Sequence, residues 1–161
     1  MFTYYLHLGS NVGDRKVMLL NAIDAIHQHI GKVVKKSSIY ETEPWGLVDH
    51  PNFYNLAIEV LSKLSPEEVC LTTKDIEKEM ERKKEIHWGP RNIDIDILYC
   101  DDIILKSEKL TIPHPHIYDR NFVLIPMMEI AGDFIDPVKN LSIDELYEDC
   151  RDTNEVFIFE E

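Results

Sequence analysis

Hydrophobic and polar positions divide most of this chain into short runs of two periodicities. Residues 2–8 are rich in β-forming types and break at Gly9-Ser10-Asn11, which predicts a strand entering a turn. From Asp14 onward, Val17, Leu20, Ile23, Ile26 and Ile30 recur at helical spacing, with Gly31 as the stop. Residues 33–40 and 53–61 predict two further strands on either side of a long loop at 43–51. Ser65-Pro66-Glu67-Glu68 has the order of a helix start, a capping serine followed by proline and then acids in the first turn. Val69, Ile76 and Met80 mark that helix's apolar stripe, which fades over 81–87. Residues 93–99 alternate more clearly than any other segment, and 103–105 and 110–112 predict short edge strands. Asp119 predicts the cap of a short helix over 121–128 that Pro126 limits or kinks. Strand, helix, strand, strand, helix, strand predicts an α+β protein, a ferredoxin-like αβα sandwich with a mainly antiparallel sheet that the later strands extend.

Composition narrows the class. The chain has 161 residues, 44% of them hydrophobic, with no repeat, low-complexity tract or compositional break, so one domain over 1–161 is expected. That excludes a disordered chain and a disulfide scaffold. No apolar run reaches the roughly 18–20 residues of a membrane span, and the N-terminus lacks a basic start followed by an apolar core. Cys70, Cys100 and Cys150 are widely spaced and odd in number, as reduced thiols of a cytoplasmic protein would be. Seventeen Lys and Arg against 30 Asp and Glu give a net charge of −13, which repels nucleic acid and anionic membranes. The expected partners are therefore small molecules, and the expected state a monomer, with a dimer as the alternative. An anionic substrate would have to meet a local basic cluster or a metal ion. One basic cluster stands out: Arg82, Lys83, Lys84, His87 and Arg91.

Asp94-x-Asp96 lies immediately after that cluster. In an alternating strand, period two puts both carboxylates on one face, about 6–7 Å apart, with Ile93, Ile95 and Ile97 on the other. Two such carboxylates can hold one or two Mg²⁺ ions, which complete their shells with water and phosphate oxygens. On spacing alone, the solvent face of a half-buried strand accounts for the pair better. The adjacent cations change the balance, because cations that neutralise phosphate beside carboxylates that hold metal are the parts of a phosphoryl-transfer site. A helix end complemented by cations explains Arg82–Lys84 but gives no reason for Arg91. A nucleotidyl- or glycosyltransferase with a metal-bound nucleotide, and a ligand-sensing regulatory module of ferredoxin-like fold, are the rival readings.

The run Trp88-Gly89-Pro90-Arg91-Asn92-Ile93-Asp94-Ile95-Asp96-Ile97-Leu98 resembles the signature of the 6-hydroxymethyl-7,8-dihydropterin pyrophosphokinase family of folate biosynthesis. Leu8-Gly9-Ser10-Asn11, the segment 38–46, Pro51-Asn52-Phe53-Tyr54-Asn55, Leu110-Thr111-Ile112-Pro113-His114 and Arg120-x-Phe122-Val123-Leu124-x-Pro126 match in order, so the resemblance covers nearly the whole chain. It implies transfer of pyrophosphate from ATP, the co-substrate, to a pterin hydroxymethyl group, with AMP released. It implies Asp94 and Asp96 as ligands of two Mg²⁺ ions and Arg82 and Arg91 as catalytic cations on the phosphates. Glu77, Lys84, Trp88, Arg91, Ile97, Lys109, Thr111, His114 and Arg120 would bind ATP, with backbone at Ile97 and Thr111 serving adenine. Phe53 and Phe122 would sandwich the pterin, Asn55 would read its edge, and Thr42, Pro44, Trp45, Trp88 and Asp94 would complete that side. Lys84, His87 and Lys109 stand where the resemblance leads one to expect arginine. The remaining histidines, His7, His27, His29, His50 and His116, read as ordinary. The segments 43–51 and 81–90 flank the implied site as lids would.

Overall fold

A computed structural model describes residues 1–11, 13–42, 52–82 and 93–159, with the backbone alone at Arg82. Strand β1 (Phe2–Ser10) leads to helix α1 (Arg15–His29), β2 (Lys32–Lys36), β3 (Tyr40–Thr42) and β4 (Phe53–Ser62). Helix α2 (Pro66–Arg82) and strand β5 (Asp94–Cys100) follow, then the small hairpin β6 (Leu105–Lys106) and β7 (Thr111–Ile112). Helices α3 (Asn121–Ala131) and α4 (Ile143–Asp149) and strand β8 (Val156–Ile158) complete the chain. The main sheet runs β5-β1-β4-β3-β8, with β2 also on β4, and every pairing is antiparallel. This is the expected ferredoxin-like sandwich.

Each face of the sheet closes over its own core. Leu6, Leu8, Leu56, Ile58, Ile95 and Ile97 pack under Leu19 and Ile26 of α1 and Val69 and Ile76 of α2. Tyr5, Ala57, Leu98 and Tyr99 meet Val123, Leu124 and Met127 of α3 and Ile143 and Leu146 of α4. Both cores are apolar and buried, which is the main favourable term for a domain of this size. Helix starts follow the sequence: the Asp14 side chain accepts from Val17 N–H at 3.2 Å, and Ser65 and Glu68 bond reciprocally as a capping box. Among the described residues no helix is long and apolar enough to cross a membrane.

Several expectations are corrected. The strand expected over 33–40 is two, β2 ending at Lys36 and β3 starting at Tyr40, because a detour at Ser37 and Ser38 interrupts it. Ser37 stays tied to Ala57, while the Ser38 N–H donates to Glu129 of α3 at 2.9 Å instead of to the sheet. Gly31 follows the end of α1 as expected, and it also serves a close strand approach, since a Cβ there would lie 2.0 Å from the Leu61 carbonyl oxygen. Asp119 does not cap α3, whose N-cap position is Arg120. Pro126 lies inside that helix, which continues to Ala131. Helix α4 and strand β8 were not anticipated. The proposed lids fall almost wholly outside the described residues, as do Pro44, Trp45, Lys84, Trp88 and Arg91 and the side chain of Arg82.

Candidate active site

Register alone assembles the centre of the site. In antiparallel pairs, residues opposite one another share a face. Asn55 of β4, Gly9 of β1 and Asp94 of β5 therefore form one row across the sheet, and Ala57, His7 and Asp96 form the next. Thr42 of β3 lies opposite Phe53. With Arg120 and Phe122 from the start of α3, and with His116 and Asp119, all of these residues but Ala57 line a cavity of about 440 Å³. That volume lies within the usual range for small-molecule sites.

The floor of this cavity is fixed by short contacts. Asn55 Nδ2 donates to Thr42 Oγ1 at 2.8 Å, both groups being buried. The amide oxygen is turned toward Gly9, where an added Cβ would approach Asn55 Oδ1 to 3.0 Å and the Phe53 ring to 3.9 Å. Any side chain at position 9 would fill the floor. Phe53 and Phe122 are half-buried, so each keeps ring surface for a ligand, although Phe122 also packs on the second core. The Arg120 guanidinium lies 5.6 Å from the Phe122 ring centre.

His7 is a site residue that its sequence position concealed. It is 4% exposed, its ring centre lies 5.8 Å from that of Phe122, and its Nε2 is 3.0 Å from the Phe122 carbonyl oxygen. Burial pushes the imidazole pKa down to about 4, against the opposing pull of Asp96. A carbonyl only accepts, so the neutral ring carries its proton on Nε2 and donates it there. His116, also read as ordinary, lines the same cavity. The signal for His7 was its parity with Gly9 along β1.

A second cavity, of about 320 Å³, opens on the other side of β5. Glu77, Ile97, Lys109, Thr111 and His114, five of the residues expected to bind ATP, line it. Strand β5 is the sheet edge, and its Ile95 N–H donates to Glu77 Oε2 at 2.9 Å, which satisfies an edge group between the two aspartates. His114 Nε2 is 4.0 Å from Asp96 Oδ1, and burial holds the His114 pKa below its ordinary value while Asp96 raises it. Arg120, expected with the nucleotide, instead stands in the aromatic cavity.

Asp94 and Asp96 belong to both cavities. The described residues hold no group of three or more metal-binding side chains. A pair of half-buried carboxylates with open space on two sides still fits Mg²⁺, which takes few protein ligands and fills its octahedron with water and phosphate oxygens. The arrangement joins an aromatic, amide-floored pocket to a second pocket of mixed polar and apolar lining through a carboxylate pair.

Comparisons with known proteins point to one family. Residues 5–132 match the family described as 7,8-dihydro-6-hydroxymethylpterin-pyrophosphokinase. The 2-amino-4-hydroxy-6-hydroxymethyldihydropteridine pyrophosphokinase of Bacillus subtilis is 46% identical over 128 residues, 79% of this chain and 77% of that protein. Its Aquifex aeolicus counterpart is 41% identical over 138 residues, 86% of each chain. A crystal structure of wild-type Plasmodium falciparum HPPK-DHPS shares the fold at 19% identity and a TM-score of 0.73, over 92% of this chain and 43% of that one.

Proposed function

This chain belongs to the 7,8-dihydro-6-hydroxymethylpterin-pyrophosphokinase family, and on that premise we propose that it transfers pyrophosphate from ATP to 6-hydroxymethyl-7,8-dihydropterin in folate biosynthesis. The hydroxymethyl oxygen attacks the β-phosphorus and loses its proton, the bond from that phosphorus to the α–β bridging oxygen breaks, and AMP leaves with the bridging oxygen. The observation that carries this reading is the Asp94–Asp96 pair shared by two cavities of different character. A two-substrate transfer needs its reacting ends to meet at one charged point, with each substrate held on its own side.

The chain's own residues bind and orient. Phe53 and Phe122 offer ring faces to a flat heterocycle, and Asn55, its plane held by Thr42, offers Oδ1 to the heterocycle's polar edge. Glu77, Lys109, Thr111 and His114 surround the nucleotide, and the β5 edge offers backbone groups at Ile97. Asp94 and Asp96 would hold Mg²⁺, two ions on this reading, and the metal, when bound, supplies charge neutralisation on the phosphates. The assignment of Arg82, Lys84, Arg91 and Trp88 to the phosphates, and of Pro44 and Trp45 to the pterin, rests on the sequence resemblance. In a chain of net −13, that basic cluster is what makes a polyanionic substrate acceptable.

The test is product analysis. ATP, Mg²⁺ and the hydroxymethyl pterin together should yield AMP and the pterin diphosphate in equal amounts, and ATP without pterin should remain intact. ADP as the nucleotide product, or AMP formed without pterin, overturns the reading.

A further inference from the structure

The first turn of α3 carries Phe122, and Arg120 precedes it, yet Arg120 at the N-cap makes no side-chain capping bond. The cap comes from 31 residues downstream: Asp152 Oδ2 accepts from the Asn121 N–H at 2.9 Å. Asn121 Nδ2 returns a bond to the Asp152 carbonyl at 2.6 Å. The other carboxylate oxygen accepts from Asn154 N–H at 2.9 Å, which fixes the group's orientation. A carboxylate here both satisfies an orphan donor and complements the helix dipole.

From Asp152 the chain runs straight into β8. That strand pairs with β3, Val156 opposite Thr42 and Ile158 opposite Tyr40. Beyond it, the Phe159 N–H donates to the Ile39 carbonyl at 2.8 Å, and its ring lies 4.7 Å from that of Tyr54. Residues 152–159 thus grip α3, which bears Phe122, and β3, which bears Thr42 and through it Asn55. Residues 152–159 themselves lie beyond the 5–132 span that matches the family.

We infer that residues 152–159 form a strap that sets the spacing between the Phe122 ring and the Thr42–Asn55 floor, with Asp152 as a positioning residue for the heterocycle. The inference rests on the pterin reading of the aromatic cavity. Asp152 lines neither cavity, so it acts through Asn121 and the helix start.

Titration calorimetry with hydroxymethyldihydropterin and, separately, with a non-hydrolysable ATP analogue and Mg²⁺ tests the strap. Asp152→Ala should raise the pterin Kd about tenfold, the scale of losing a helix cap, and leave the nucleotide Kd within about twofold. Asp152→Asn should return the pterin Kd to within about threefold of wild type, because its one amide oxygen can keep the bond from the Asn121 N–H while the bond from Asn154, on the strap's own side, is given up. Should Asp152→Ala not fold, Asn121→Ala removes only the bond to the Asp152 carbonyl, and a pterin-selective loss is again expected. An unchanged pterin Kd, an equal loss for both ligands, or no rescue by asparagine overturns the strap. Wild-type protein that binds no pterin overturns the reading of the cavity itself, and the strap with it.

Discussion

Replacing Thr42 by valine keeps the shape of the cavity floor and deletes one acceptor. Thr42 and Asn55 are 4% and 2% exposed, and the bond between them is 2.8 Å long. Valine cannot accept, so the Asn55 N–H is left buried and unpaired, at a cost of about 1–3 kcal/mol. For a chain of this length that lowers Tm by about 2–4 °C for each kcal/mol. The same loss releases the amide plane, so the heterocycle meets an acceptor that is no longer held. If that deficit appears in binding, pterin affinity falls about 5- to 150-fold. Nucleotide affinity should not change, because Thr42 lines only the aromatic cavity. Thermal melts and calorimetry on Thr42→Val and Thr42→Ser decide the matter, since serine keeps the hydroxyl and should recover most of both losses. Wild-type pterin affinity in the valine variant refutes the claim that this bond orients Asn55.

Asp96→Ala should abolish turnover while pterin affinity stays near wild type; activity within about tenfold of wild type at saturating Mg²⁺ removes the carboxylate from the metal site. Phe122→Ala should weaken pterin binding by about 1–3 kcal/mol with nucleotide affinity kept; equal calorimetric losses for both ligands would make the ring a packing residue. Burial pushes the Cys100 thiol up to about 11, so at pH 8 only about one molecule in a thousand carries the thiolate. Iodoacetamide on the native protein, read by peptide mass, should therefore label half-exposed Cys150 and spare Cys100; early labelling of Cys100 contradicts that burial.

The sequence makes local order readable and long-range order only in part. Parity along β5 puts Asp94 and Asp96 on one side, and that is how they stand, because alternation is a property of the strand itself. Parity along β1 likewise relates His7 to Gly9, but which residues face them depends on pairings across roughly fifty to ninety positions. A histidine in a row of apolar neighbours then looks like one more core residue. The C-terminal elements fail for another reason. Strand β8 does lie in a β-forming run, Val156-Phe157-Ile158-Phe159, but it is three residues long and mostly exposed, and its partner β3 stands roughly 115 positions away, so nothing local says what it pairs with. Helix α4 did leave a mark, Ser142 and Glu145 in capping-box spacing, and the structure uses both bonds. Asp152 as the cap of α3 is not legible at all, since a cap supplied from a distant segment has no local spacing.

The row Asn55–Gly9–Asp94 works as a ruler. Its two ends are separated by two antiparallel strand spacings, about 10 Å from Cα to Cα, and the middle position has no side chain. On the proposed function, the substrate's recognised edge sits over one end, its reacting hydroxyl over the other, and its rings span the gap at Gly9. Backbone hydrogen bonding sets that length, and no side-chain substitution can retune it. The enzyme can therefore change how firmly it holds a substrate more easily than how long a substrate it accepts. A ligand with one more methylene between ring and hydroxyl would overshoot Asp94, however well its rings were stacked.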